Sequence, residues 1–158
     1  MLRMDAQERQ PVVAYTLMVI GVIAALGLWR QWSHQDVGFC QGVLRDLVWG
    51  RQKVERVIDW NHLHALGVNL GASYETLPDE KARASYRKMF VKGFAQGFER
   101  IKGRRADFQR WRVYKRDATQ TVVAVDDIRH KKTLLFQIPA SGQRRLEGIE
   151  WQADHVGS

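Results

Sequence analysis

Residues 108–116 read FQRWRVYKR, and their alternation decides the fold class. Trp111 and Val113 alternate with Arg110, Arg112 and Tyr114, a period of two that belongs to a strand with one buried face. The same period recurs over Thr121–Ile128, Thr133–Ile138 and Arg144–Trp151. The connections are short and polar: Asp117-Ala118, Arg129-His130-Lys131 and Pro139-Ala140-Ser141-Gly142. Short connections join antiparallel neighbours, so the spacing predicts a four-stranded antiparallel meander.

Upstream the period is helical. Thr76-Leu77-Pro78-Asp79-Glu80 is a helix start, with Thr76 as cap, Pro78 in the first turn and two acids at the positive end of the dipole. The helix runs to about Lys102 and stops at Gly103. Ala82, Tyr86, Phe90, Phe94, Phe98 and Ile101 form its apolar stripe. Gly93 and Gly97 each cost about 1 kcal/mol against alanine inside a helix, so a close neighbour or a cavity wall is expected beside them. A second helix is predicted over Val37–Ile58, with Val37, Cys40, Leu44, Leu47, Val48, Val54, Val57 and Ile58 on one face. Residues 61–78 read as a connector, anchored by Leu63, Leu66, Val68 and Leu70. Two main helices packed on a four-stranded sheet give an α+β domain over 34–152, with a short tail at 1–10 and a flexible tail at 153–158.

The most apolar stretch precedes this domain. PVVAYTLMVIGVIAALGLW, residues 11–29, carries no ionisable charge except the Tyr15 phenol. Its length predicts a transmembrane helix over 11–30, since ~20 apolar residues cross a bilayer. Trp29, Arg30 and Trp32 stand where interface anchors belong. Two readings compete with a span: a buried core helix, against which the run is apolar all round instead of amphipathic, and a cleaved signal peptide, since Ala25 and Gly27 are small. A signal peptide has a positive leader, however, and here Asp5 and Glu8 offset Arg3 and Arg9, which favours an uncleaved signal anchor. Basic flanks are balanced, so direction is weakly encoded. The expectation is a single-pass protein of a bacterial inner membrane, its N-terminus cytoplasmic and its domain periplasmic.

The formal net charge is +8, all of it in the domain. Lys102–Arg116 (KGRRADFQRWRVYKR) is the densest basic segment. Arg104, Arg105, Arg110, Arg112, Tyr114 and Arg116 are the candidates for an anionic or partner-binding surface, with Arg110, Arg112, Tyr114 and Arg116 projecting from one strand face. Basic residues among aromatics also suit nucleic acid, the weakest of the three partner classes here. Tyr86, Phe90, Phe94 and Phe98 are the candidate pocket. Asp59, His62 and His64 invite a metal reading, but no third histidine or cysteine follows at ligand spacing. Asp126-Asp127 with His130 suits a turn, because adjacent strand residues face opposite ways. Cys40, the lone cysteine, reads as a buried small hydrophobe. Phosphate-loop, G-x-S-x-G and CxxC motifs are all missing, so no catalytic, cofactor or metal residue is assigned.

Helices followed by a curved antiparallel sheet that ends in basic residues and Leu-x-Gly-Ile-x-Trp (Arg144–Trp151) resemble the NTF2-like or cystatin-like α+β superfamily. With a membrane span ahead of it, the chain is similar to inner-membrane assembly subunits of type IV secretion systems. The resemblance implies a non-catalytic assembly module contacting the lipid bilayer and subunits of a membrane complex, and it is compatible with a homo-oligomer. Two alternatives stand beside it. One is a membrane-anchored small-molecule binder or enzyme with an NTF2-like pocket; the other is a basic domain for anionic lipid or nucleic acid.

Overall fold

The computed structural model describes residues 9–152, with the side chains of 9–14 and 16 left out. The chain divides into two units between Gln35 and Asp36. Helix α1 (Arg9–Val48) is followed by a 3-10 turn (Gln52–Val57), strands β1 (His64–Ala65) and β2 (Val68–Asn69), and helices α2 (Leu70–Glu75) and α3 (Glu80–Arg100). A second 3-10 turn (Arg105–Asp107) leads into β3 (Phe108–Arg116), β4 (Gln120–Asp127), β5 (Lys132–Pro139) and β6 (Gly148–Trp151).

The expected membrane anchor is corrected. Among the described residues, no helix is long and apolar enough to cross a membrane. The apolar run is not a separate element; it is the first half of the 40-residue α1, which continues through Arg30, His34, Asp36, Arg45 and Asp46. The start of the predicted span lacks described side chains, and most of the tail at 1–10, like that at 153–158, lies outside the described residues. Trp29 and Trp32, expected at a membrane interface, are exposed, and the Trp29 carbonyl accepts a 2.8 Å bond from Ser33 Oγ. Nothing among the described residues supports a signal anchor or a secretion-system subunit.

The second correction concerns the sheet. It has six strands in the order β2-β1-β6-β5-β4-β3, and it is mixed. Strands β3 to β6 run antiparallel in succession, but β1 lies parallel to β6, pairing His64 with Gly148 and Ala65 with Ile149. The expected connector at 61–78 thus holds two strands and a helix. β1 and β2 turn through Leu66 and Gly67, both at positive φ (51° and 82°), the geometry of a tight hairpin. Leu63 is buried, whereas Leu66 and Val68, expected as core anchors, are exposed.

In the Asp36–Ser158 unit, Cys40, Val43, Leu44 and Leu47 of α1 are buried in the core with Val123, Val125, Phe136, Ile138 and Ile149 of the sheet. The helix ends earlier than its hydrophobic pattern suggests. Gly50 takes φ 62°, its N–H donates to the Leu47 carbonyl (3.0 Å), and the Arg51 N–H reaches back to Asp46 (2.8 Å). Those two bonds close a Schellman cap, and Val54 and Ile58 fill the core from beyond it. At the start of α3 the cap is Asp79, accepting the Ala82 N–H at 2.7 Å, while Thr76 caps the end of α2.

Candidate functional site

The basic strand is the first candidate, and most of its charge is neutralised locally. Arg110 and Arg112 close on one carboxylate, Asp126 of the neighbouring β4, at 3.0 and 3.1 Å. Burial works against the Asp126 charge, but the Thr133 hydroxyl (2.9 Å) and the two guanidinium groups outweigh it and hold the carboxyl below its ordinary range. Arg116 is not on that face. It donates to the buried Asp36 of α1, which also accepts from Arg144 Nε at 2.7 Å. Two irregularities in the β3–β4 register, between Gln109 and Arg112 and between Val113 and Lys115, break the alternation on which the single-face expectation rested. Arg110, at φ 56°, sits in the first of them.

Tyr114 remains exposed. Arg104 uses its N–H on Asp107 (3.0 Å), and Arg105 is exposed and lines two recesses. β3 is an edge strand, but bulges and long cations blunt such an edge against strand addition.

The second candidate is the aromatic stripe of α3, which divides in two. Tyr86 and Phe90 enter a packed aromatic cluster: Trp60 meets Phe90 edge-on at 5.6 Å, and Tyr74 lies 5.7 Å from Trp60 and 5.9 Å from Tyr86. Phe94 and Phe98 instead line a cleft of about 250 Å³, with Gly93, Gly97 and Ile101 beside them on α3. Its far walls are Leu134 and Trp151 of the sheet, Phe108 and Leu66. Phe98 stacks on Phe108 at 5.8 Å and holds that corner. A side chain placed at Gly93 or Gly97 would meet nothing within 4 Å, so both glycines face open space. Among the described residues, no ionisable or amide side chain lines the cleft.

The remaining clusters are structural in form. Asp127, buried, accepts the N–H groups of Arg129 and His130 (both 3.1 Å) and holds His130 Nδ1 at 2.6 Å, which closes the β4–β5 turn. Asp126 faces the other way, as strand alternation requires. Asp59 pairs with His62 (3.1 Å) and pushes the imidazole pKa up, while His64 lies in β1. Among the described residues, no three His, Cys, Asp or Glu are placed to hold a metal ion. Burial, and then the nearby Asp36, push the Cys40 thiol far above its ordinary range, so it stays protonated.

Sequence reasoning marked Phe94, Phe98 and the two glycines of the cleft. It missed Leu66, Leu134 and Trp151, which only the sheet order brings opposite α3. No protein-family model, curated protein or solved structure matches this chain.

Proposed function

We propose that the domain beginning at Asp36 is a non-catalytic protein-docking module that receives an apolar anchor side chain of a partner in the α3 cleft. The cleft's size and lining carry this reading. Small-molecule pockets run to roughly 300–1,000 Å³ and combine an apolar wall with a few converging polar groups. This one is about 250 Å³, and among the described residues no ionisable or amide side chain lines it. Acid–base or nucleophilic chemistry needs a titratable side chain within reach of the substrate, and none of the described residues lining the cleft supplies one.

One leucine- or phenylalanine-sized anchor fits the scale of the space, and its burial is worth about 1.5–3 kcal/mol. That is the weight of an interface hot spot. The NTF2-like resemblance is consistent with this reading, since it implies a cavity between the long helix and the sheet.

Panning a random-peptide display library against the chain tests it. Selected peptides are expected to share one large apolar residue, and Gly97→Leu, which fills the open space, should weaken them at least about tenfold. Binders indifferent to Gly97→Leu and Gly93→Leu would defeat the reading.

A further inference from the structure

A second recess lies on the opposite flank of α3. Lys88 and Gly97 are nine residues apart, about half a turn around the helix at ~100° per residue. The recess has a volume of about 600 Å³. It runs between the end of α1, where a side chain at Gly50 would lie 3.5 Å from Ala95 Cβ, and the segment carrying Gly103 and Arg105. Three exposed cations line it: Lys88, Lys92 and Arg105. Nothing among the described residues pairs with any of them, and Glu99 is the only acid on the walls. The contrast with β3 is direct, since Arg110, Arg112, Lys115 and Arg116 all end on carboxylates.

The groove also has an apolar side. Trp49 is 54 % exposed, and the Arg51 guanidinium lies over its ring, 4.1 Å from the centroid. A large indole left in solvent beside three unopposed cations presents apolar contact and positive charge to one ligand.

We infer that this groove binds an acidic segment of another protein, with carboxylates on Lys88, Lys92 and Arg105 and an apolar residue against Trp49. One feature favours a peptide over a nucleic acid strand: the single exposed indole offers no succession of stacking platforms. The groove and the cleft share Phe98 and no other lining residue, so charge reversal at Lys88 and Lys92 leaves the cleft's walls in place.

Fluorescence anisotropy on the whole chain reads the difference, using a labelled peptide of alternating Glu and Leu and a labelled oligothymidylate. The peptide is expected to bind, and Lys88→Glu with Lys92→Glu to weaken it about tenfold, as charge reversal at a docking site does. Lys131→Glu with Lys132→Glu makes the same change in net charge at the β4–β5 turn and should alter binding less than about twofold. Gly97→Leu should leave it unchanged. Equal losses in both charge-reversed pairs, no loss in either, or tighter binding of the oligothymidylate would overturn the inference. Loss in Gly97→Leu alone would move the peptide to the cleft, overturning the groove and leaving the docking function standing.

Discussion

Asp36 shows how much one residue can hold. It is the first residue of its unit, it is buried, and both of its oxygens are taken by guanidinium groups from the distant chain positions 116 and 144. Removing one partner of a buried pair leaves the others charged and uncompensated, which costs about 3–5 kcal/mol. Asp36→Ala is therefore expected to lower stability by about 3 kcal/mol in urea titration. The double change Arg116→Met with Asp36→Leu should recover part of that loss. Gly71 is constrained in another way. A Cβ there would stand 2.2 Å from the Asn61 carbonyl oxygen, a backbone atom that cannot step aside. Gly71→Ala should cost more than about 2 kcal/mol, whereas Gly148→Ala, which meets the movable Oε1 and Cδ of Gln137 (2.5 and 2.8 Å) and its Cβ at 3.1 Å but no backbone atom, should be milder on the same assay.

Two carboxylates give the domain opposite pH responses. Asp126 has its folded pKa lowered, so its contribution is present above the unfolded value and lost as pH falls through the folded one. Glu147 has its folded pKa raised, first by burial and then by Asp59, so the native state resists its ionisation and it detracts from stability as pH rises past the unfolded value, fully once pH exceeds the folded one. Asp126→Asn is expected to destabilise at neutral pH and to converge on the parent in acid. Glu147→Gln should stabilise slightly at neutral pH and converge on the parent below the ordinary carboxylate range. Thermal melts across pH 3–7 would check both, and parallel curves would contradict the assigned environments.

At the scale of elements, what the chain discloses depends on the length of the pattern. β3, β4 and β5 run for eight or nine residues and α3 for twenty-one, long enough for a period to declare itself. β1 and β2 are two residues each, too short for any period, and the parallel β1–β6 pairing joins segments some eighty residues apart. The end of α1 was obscured for a different reason. Hydrophobic spacing runs on past Val48 because the 3-10 turn also delivers Val54 and Ile58 to the core, and Gly50 ends the helix without interrupting that spacing. Half of the cleft was legible for the same reason as α3: Gly93, Phe94, Gly97 and Phe98 form one local pattern. Its other half is tertiary. Gly50→Ala tests the cap: with Ala95 at ordinary contact distance, the cost is the left-handed φ alone, about 1 kcal/mol.

For the molecule as a whole, the two glycines of α3 set stability against binding. Each lowers helix stability by about 1 kcal/mol relative to alanine, and neither recovers that cost through a close neighbour. If helix packing were their purpose, an added methyl would collide and destabilise. With open space on that side, Gly93→Ala with Gly97→Ala should raise stability by about 1.5–2 kcal/mol. At roughly 3–6 °C per kcal/mol for a unit of this size, the melting temperature should rise by about 5–10 °C. The same methyl groups narrow the cleft, so peptides that place an anchor there should bind more weakly to the stabilised protein. Calorimetry and peptide binding on one variant thus pull in opposite directions if the cleft is a docking site. A stabilised variant with undiminished peptide binding would show that the anchor lies elsewhere.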